Sequence, residues 1–307
     1  EKILDFLMED IKKFFTQKEI FDIFKSNKRI LLFFVHKKVI VFTEEIFKEI
    51  CEGKFRVEKY YEYFYPETKQ YLNKYQMESI MRDHQKELEE ENFEENRQNG
   101  ENHRHICKLI RDDVLDDFIV FVNQTNYPID SNIEQSIFET HPLLCQKETT
   151  LIEYALFFGS INITKYLMLK GIKLQESSWI YAIHSNNAEL ISILEENHVE
   201  PTSYLDCLRE SIKCHHLNIS IYIQDNLINE SDCFNVKEEG FKTSNITDFG
   251  LENYNFLNII ENDLYINPAY YLYHLIKYDY TDIACLLLKT KVFDVNYIHV
   301  FYIDFVL

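Results

Sequence analysis

The sequence predicts an all-α protein whose C-terminal two-thirds repeat one helix-pair pattern. Glycine and proline number only six and five among 307 residues, too few for the many turns of an all-β fold. Apolar residues recur at i, i+3 and i+4 along most of the chain, which is the period of an amphipathic helix. Hydrophobic residues make up 46% of the sequence, enough to build a core and to exclude wholesale disorder.

Residues 1–77 are predicted to form helices without a clear repeat. The segment RILLFFVHKKVIVFTEEIFKEI, residues 29–50, leaves two alternatives. Its Phe, Ile and Val content favours a strand hairpin, whereas the absence of turn residues in HKK favours a pair of helices. The tyrosine-dense stretch YYEYFYPETKQYL, residues 60–72, is expected to be an amphipathic surface that packs on the next unit.

The next segment, residues 78–102, is predicted to be an acidic helix that ends in a linker. Between Asp83 and Glu101 it holds eight acidic and two basic residues. One Leu and one Phe cannot supply an apolar core face there. A solvated spacer that frays at Asn99 and Gly100 is therefore the expected structure.

A helix pair is predicted most clearly by TTLIEYALFFGSINITKYLMLKGIKL, residues 149–174. Its apolar residues lie on one helical face in each half, and a glycine follows each half. Each predicted helix has about two turns and is too short to be stable alone in water. We therefore expect the pair to bury its apolar stripe against neighbouring pairs, with Gly159 ending the first helix and Gly171 the second.

The same pattern recurs before and after this window. Small residues occupy the position of Ala155 in two later copies. Ala182 lies 27 residues after Ala155, and Ser211 lies 29 residues after Ala182. The copies are residues 106–124, 149–174, 179–201, 207–228 and 270–296. The 64 residues from Ser211 to Leu275 leave room for two ordinary units. A degenerate copy is therefore expected within 240–262, and residues 103–307 form one repeat region.

These copies resemble the ankyrin repeat, TPLHxAAxxGHxEIVxLLLxxGADVN, in their alanine, glycine and apolar positions. TLIEYALFFGSINITKYLMLKGIKL follows the whole repeat, and NNAELISIL, TDIACLLL and FDVN are similar to its later parts. The TPLH tetrad is nowhere intact and the middle units are short, as in the divergent ankyrin proteins expanded in some unicellular parasites. The resemblance implies an ankyrin-type helical solenoid that follows an N-terminal helical region.

The resemblance also implies a function, the non-catalytic binding of a protein partner on the concave face of the solenoid. Ankyrin proteins form this face from the residues before the inter-helix turn and from the fingertips. Carried over by register, the partner-binding residues are Phe157, Phe158, Gln175, Glu176, His184, Ser185, Lys213, Cys214, Lys277 and Tyr278. The two phenylalanines are expected either to be an exposed anchor or to pack under residues 103–150. The alternative function is a regulatory ankyrin part of a larger enzyme, with a catalytic domain outside these residues.

Charge and cysteine content limit the partners. Lys and Arg total 32 and Asp and Glu 51, a formal charge of −19 that repels nucleic acid and anionic membrane surfaces. Seven cysteines without a CxxC pair, and without a signal peptide, suit the cytoplasm. The longest apolar run is interrupted by His36, Lys37 and Lys38 and is too short to span a bilayer. We expect a cytoplasmic monomer that binds neither nucleic acid nor membrane.

No motif indicates catalysis, a metal or a cofactor. The DFG tripeptide at residues 248–250 lacks the phosphate loop, VAIK lysine and HRD segment of a kinase. The histidines and cysteine of HRHIC, residues 103–107, lack a further ligand pair for structural zinc. CHH at residues 214–216 invites a Cys/His nucleophile interpretation, but it lies at a helix end and turn of its repeat. A turn-forming role is expected there, and the protein is predicted not to be an enzyme.

Overall fold

The computed structural model describes residues 2–228, 249–255 and 268–289, and every regular element in these ranges is a helix. Asn132 and Thr150 form an isolated antiparallel β-bridge outside the helices. The all-α prediction is therefore confirmed. No helix in the described ranges has the length and apolar character needed to cross a bilayer.

The chain divides into two units, residues 1–154 and 155–307, whereas composition suggested boundaries at 77 and 102. The helices of the N-terminal unit are α1 Lys2–Phe6, α2 Met8–Phe14, α3 Gln17–Phe24, α4 Lys28–His36, α5 Glu44–Ile50, α6 Gly53–Val57, α7 Tyr60–Tyr63, α8 Tyr65–Thr68, α9 Lys74–Leu88, α10 Phe93–Asn99, α11 His105–Arg111, α12 Leu115–Thr125, α13 Pro142–Gln146 and the start of α14 Leu151–Phe158. Residues 29–50, for which a strand hairpin and a pair of helices were the alternatives, form the helices α4 and α5.

An aromatic core holds the N-terminal unit together. Tyr63 meets Phe64 edge-on, with ring centroids 4.9 Å apart. Tyr60, Tyr61 and Tyr63 are at most 1% exposed, so the start of the stretch 60–72, which was expected to be an amphipathic surface packed on the next unit, supplies part of the core, whereas Lys69 and Gln70 are exposed. Aromatic side chains bury a large apolar area each, which explains why so many short helices can share one core.

The acidic segment, residues 78–102, differs from the expected solvated spacer. Helices α9 and α10 run through it, and Phe93 packs edge-on against Phe138 with centroids 5.4 Å apart. Arg97 is 2% exposed and forms a two-pronged ion pair with Glu67, Nη1 to Oε2 at 2.7 Å and Nη2 to Oε1 at 3.1 Å. Charge-assisted hydrogen bonds to distant residues thus replace the apolar face that this segment lacks.

A buried lysine links α4 to a distant loop of the same unit. Lys28 is 2% exposed, and its Nζ donates to the main-chain oxygen of Glu139 at 2.9 Å. The same Nζ lies 5.3 Å from the ring centroids of Tyr60 and of Tyr63, within cation–π range. Burial raises the pKa of the Glu139 carboxyl, although main-chain N–H donors from the two following residues oppose that shift.

The C-terminal unit consists of short helices that follow one another in pairs. They are the end of α14, α15 Ile161–Leu169, α16 Ser178–His184, α17 Ala188–Glu196, α18 Tyr204–Lys213, α19 Leu217–Tyr222, a π-helical turn Ile223–Leu227, a short helix over 249–252, α20 Pro268–Lys277 and α21 Thr281–Lys289. The side chains of Ala155, Ala182 and Ser211 are fully buried. Helices α16 and α18, the first helices of neighbouring pairs, pack on each other.

The turns inside the pairs share one backbone conformation. A residue with positive φ follows the first helix of each pair, at Asp113, Gly159, Asn186, His215 and Asp279. After Gly159, which has φ +79°, the N–H of Ser160 donates to the main-chain oxygen of Ala155 at 2.9 Å. The N–H of His216 donates in the same way to Ser211 at 2.9 Å. This left-handed cap satisfies the last carbonyls of a short helix.

A degenerate copy was expected within 240–262, and the structure describes residues 249–255 of it. The same turn geometry aligns this copy with the other helix pairs. Tyr254 has φ +56°, and the N–H of Asn255 donates to the main-chain oxygen of Gly250 at 2.7 Å. Gly250 therefore occupies the position that Ala155 and Ser211 occupy in their own pairs.

Candidate functional site

Predicted partner-binding residues from three successive helix pairs meet around His184. The Phe157 ring stacks on the His184 ring, with centroids 5.0 Å apart and planes inclined by 28°. His184 Nε2 lies 2.8 Å from Glu210 Oε1, and Cys214 Sγ lies 3.4 Å from His184 Nδ1. Lys213 Nζ lies 3.1 Å from the same Glu210 oxygen. We call Phe157, His184, Glu210, Lys213 and Cys214 the turn cluster.

The helix ends explain why these side chains converge. His184 is the last residue of α16, and Cys214 is the C-cap of α18. Glu210 stands one helical turn before Cys214, and residues four apart lie on the same face of a helix. Because α16 and α18 pack on each other, their last turns bring the imidazole, the carboxylate and the thiol together.

The electrostatics of the turn cluster favour an ionised carboxylate and a protonated thiol. Burial opposes ionisation of Glu210, but the hydrogen bond with His184 and the charge of Lys213 outweigh it and lower the pKa of Glu210 to about 2. Burial, with the charge of Glu210, raises the pKa of Cys214 to about 12. Since the thiolate is the nucleophilic form of cysteine, only the small thiolate fraction of Cys214 reacts at neutral pH, and alkylation of this thiol is slow.

Several other predicted contact residues have local partners. Phe158 meets Phe157 edge-on at 4.9 Å, and both rings are half-buried. The hydroxyl of Ser185 donates to the main-chain oxygen of Ala182 at 2.7 Å, which serves the turn. At the predicted fingertip, Gln175 and Glu176 are exposed.

The segment before α16, which holds the predicted fingertip residue Glu176, contacts the segment before α18. Thr202 Oγ1 donates to Glu176 Oε2 at 3.1 Å. Lys277 and Tyr278 lie in the last described pair, where Lys277 Nζ sits 4.8 Å from the Tyr278 ring centroid.

Glu210 is the member of the turn cluster that the sequence analysis missed. Its position is four residues before Cys214 and three before Lys213, so helical spacing alone would have placed it on their face. Its proximity to His184 depends on the packing of α16 on α18, which no local pattern reports.

A Ser–His–Glu contact occurs in the N-terminal unit. His103 Nδ1 lies 3.1 Å from Ser136 Oγ, and His103 Nε2 lies 3.2 Å from Glu90 Oε1. Ser136 is 4% exposed, and its Oγ accepts the Phe138 main-chain N–H at 3.2 Å. A nucleophile must reach its substrate, so this buried serine is suited to holding the loop together and not to catalysis.

The other residues of HRHIC lie apart from any ligand group. The His105 ring packs on Phe121 at 5.2 Å, and burial raises the pKa of the Cys107 thiol to about 12. His184, Glu210 and Cys214 are the described residues that could together hold a metal ion. Their ligand atoms all lie within 4.8 Å of one another.

Comparisons of the chain with family models, with curated proteins and with solved structures find no match. The class that the fold itself defines is an all-α protein with repeated helix pairs and left-handed turns.

Proposed function

We propose that this protein is a non-catalytic scaffold of ankyrin type that binds a protein partner on the face where the first helices of its pairs end. The observation that carries this proposal is the contrast between two sets of equivalent positions. Ala155, Ala182 and Ser211 are small and fully buried. Two residues further on, the matching positions hold Phe157, His184 and Lys213, which differ in size, polarity and charge.

Such a contrast is what a recognition surface requires. Uniform small residues let neighbouring helices approach, while residues beside the turns are free to vary with the partner. Phe157 is half-buried, and stacking on His184, whose side chain is 10% exposed, fixes its ring so that binding costs little side-chain freedom. Lys213 is an exposed cation in a strongly acidic protein, so it would help to orient an acidic segment of the partner.

Two substitutions test the proposal after a partner has been isolated by affinity capture. We expect Phe157→Ala to weaken binding by about 2 kcal/mol, because aromatic anchors dominate interface energies. Lys277→Ala should weaken binding less, since a peripheral charge affects orientation more than affinity. Calorimetry measures both, and far-ultraviolet circular dichroism verifies that each variant is folded.

The outcomes separate a surface role from a core role. If Phe157→Ala unfolds the protein, Phe157 belongs to the core and the surface assignment fails. If the folded variant binds with unchanged affinity, the turn cluster is not the partner-binding face.

A further inference from the structure

We propose that His184, Glu210 and Cys214 form a binding site for one Zn²⁺ ion, with a water molecule in the fourth position. The inference stands on the geometry of these side chains and does not depend on the proposed partner binding. The sequence predicted no metal site. His184 is 26 residues away from Glu210, so the three ligands do not form a recognisable spacing within one short segment.

The donor atoms are those that zinc prefers and are close enough to share one ion. Imidazole nitrogen, thiolate sulfur and carboxylate oxygen bind Zn²⁺ at about 2.0 to 2.3 Å, so tetrahedral ligand atoms stand roughly 3.3 to 3.8 Å apart. Here His184 Nε2 is 2.8 Å from Glu210 Oε1 and 3.9 Å from Cys214 Sγ. A movement of about half an ångström in the carboxylate would bring Glu210 Oε1 to the lower end of this range from His184 Nε2, and the separation from Cys214 Sγ is already close to its upper end.

The scaffold around the three ligands is already arranged. Glu210 and Cys214 have the i, i+4 spacing that places two ligands on one helix face, as in helical zinc-binding motifs. The stacked Phe157 ring holds the orientation of the His184 imidazole. Cys214 also caps the C-terminal end of α18, where the helix dipole favours a cation.

One neighbouring charge opposes the ion and can move away. Lys213 Nζ contacts Glu210, but the Lys213 side chain is 60% exposed and can turn into solvent. When zinc binds, the Cys214 S–H bond is replaced by a Zn–S bond, and the proton passes to solvent. The ring proton of His184, which Nε2 donates to Glu210 before the ion binds, moves to Nδ1, and the hydrogen bond between the two side chains is replaced by one bond from Nε2 and one from the carboxylate to the metal.

The test uses the whole 307-residue protein after treatment with a chelator. Zn²⁺ is titrated by calorimetry, and Co²⁺ is titrated by absorption because a thiolate ligand produces an intense near-ultraviolet charge-transfer band. We expect one equivalent of either ion to bind. Ca²⁺ and Mg²⁺ at the same concentration should not bind, because they require oxygen ligands.

Ligand variants and matched controls locate the ion. Cys214→Ser should abolish the cobalt–thiolate band. Glu210→Gln should weaken zinc binding about 100-fold, since losing even an outer-shell partner costs roughly 10- to 100-fold. His215→Asn, which keeps a residue that tolerates the positive φ of 59°, and Cys285→Ser, at an exposed cysteine, should bind as the unmodified protein does.

A protection experiment without substitutions keeps the proposal testable if a variant does not fold. Zn²⁺ should slow alkylation of Cys214 at least tenfold and leave that of Cys285 unchanged, as followed by mass spectrometry. The proposal is overturned if no ion binds stoichiometrically, if the band survives in folded Cys214→Ser, or if Zn²⁺ leaves Cys214 unprotected.

Discussion

The two units of the chain bury polar groups in different ways. The N-terminal unit buries ionisable side chains, among them Lys28, Arg97 and Glu139, each at most 5% exposed. Their partners are far away in sequence, since Lys28 donates to the main-chain oxygen of Glu139 and Arg97 pairs with the carboxylate of Glu67. Among the described residues of the C-terminal unit, by contrast, no Lys, Arg, Asp or Glu is fully buried.

The buried polar groups of the C-terminal unit are mostly small hydroxyls with local partners. The Ser211 hydroxyl donates to the main-chain oxygen of Leu208 at 2.8 Å, three residues earlier, and Ser220 donates to Leu217 in the same way. Because both partners of such a bond lie in the same helix, each helix pair satisfies these polar groups without the help of the other pairs. The buried cations of the N-terminal unit depend on partners in other segments, so these contacts link segments that are distant in sequence.

The largest expected effect is the removal of a buried cation from the N-terminal unit. Arg97→Ala should reduce the free energy of unfolding by about 3 to 5 kcal/mol, because it leaves the carboxylate of Glu67 without its partner in a mostly buried site. Urea denaturation followed by circular dichroism measures the change. The matched control in the C-terminal unit is Lys165→Ala, which breaks the ion pair with Glu189.

Both side chains of the control pair are about half exposed, at 52% and 50%. Breaking such a surface pair should cost less than about 1 kcal/mol. Equal losses in the two variants would mean that the contrast between the units has no energetic basis.

An intermediate effect is expected at the turn after α14. Gly159 has φ +79°, and a Cβ placed there would lie 3.5 Å from Ser185 Cβ, an ordinary contact. Strain in Gly159→Val therefore comes from the backbone conformation, and we expect a loss of roughly 1 to 2 kcal/mol or more. The melting temperature and the urea midpoint report it.

Gly159→Asn is the control for this turn, because Asn186 occupies the matching turn at φ +53°. Asparagine tolerates this conformation far better than a β-branched residue does. An unchanged midpoint in Gly159→Val, or an equal loss in both variants, would show that the left-handed turn does not limit the stability of the pair.

The smallest effect concerns a half-buried charge cluster of the N-terminal unit. Burial raises the pKa of Glu49, but hydrogen bonds from Lys18 and Lys25 outweigh it, so the pKa is lower in the folded protein than its ordinary value of 4.5. The stabilisation is then present above pH 4.5 and is lost as the pH falls towards the folded-state pKa.

Glu49→Gln tests this dependence. It should cost under about 1 kcal/mol at pH 7, as partly exposed pairs do, and progressively less as the pH falls below 4.5. Unfolding measured at pH 7 and at a series of lower pH values gives this dependence. A cost that stays constant with pH would show that the amide substitution disturbs packing and not the ion pairs.

The sequence by itself determined the all-α class and the position of most helix pairs. Those features depend on contacts between residues a few positions apart, such as the cap that joins Ser160 to Ala155 around Gly159. Apolar periodicity and residues that accept positive φ, such as Gly159, report such contacts directly.

Only the tertiary structure decided which polar residues meet. The acidic segment looked like a solvated spacer because its partner residues, including Glu67, lie elsewhere in the sequence. His184 and Glu210 are 26 residues apart and meet only because α16 packs on α18. Pairing across such distances is set by the packing of whole helices, and the residue spacing within one segment contains no information about it.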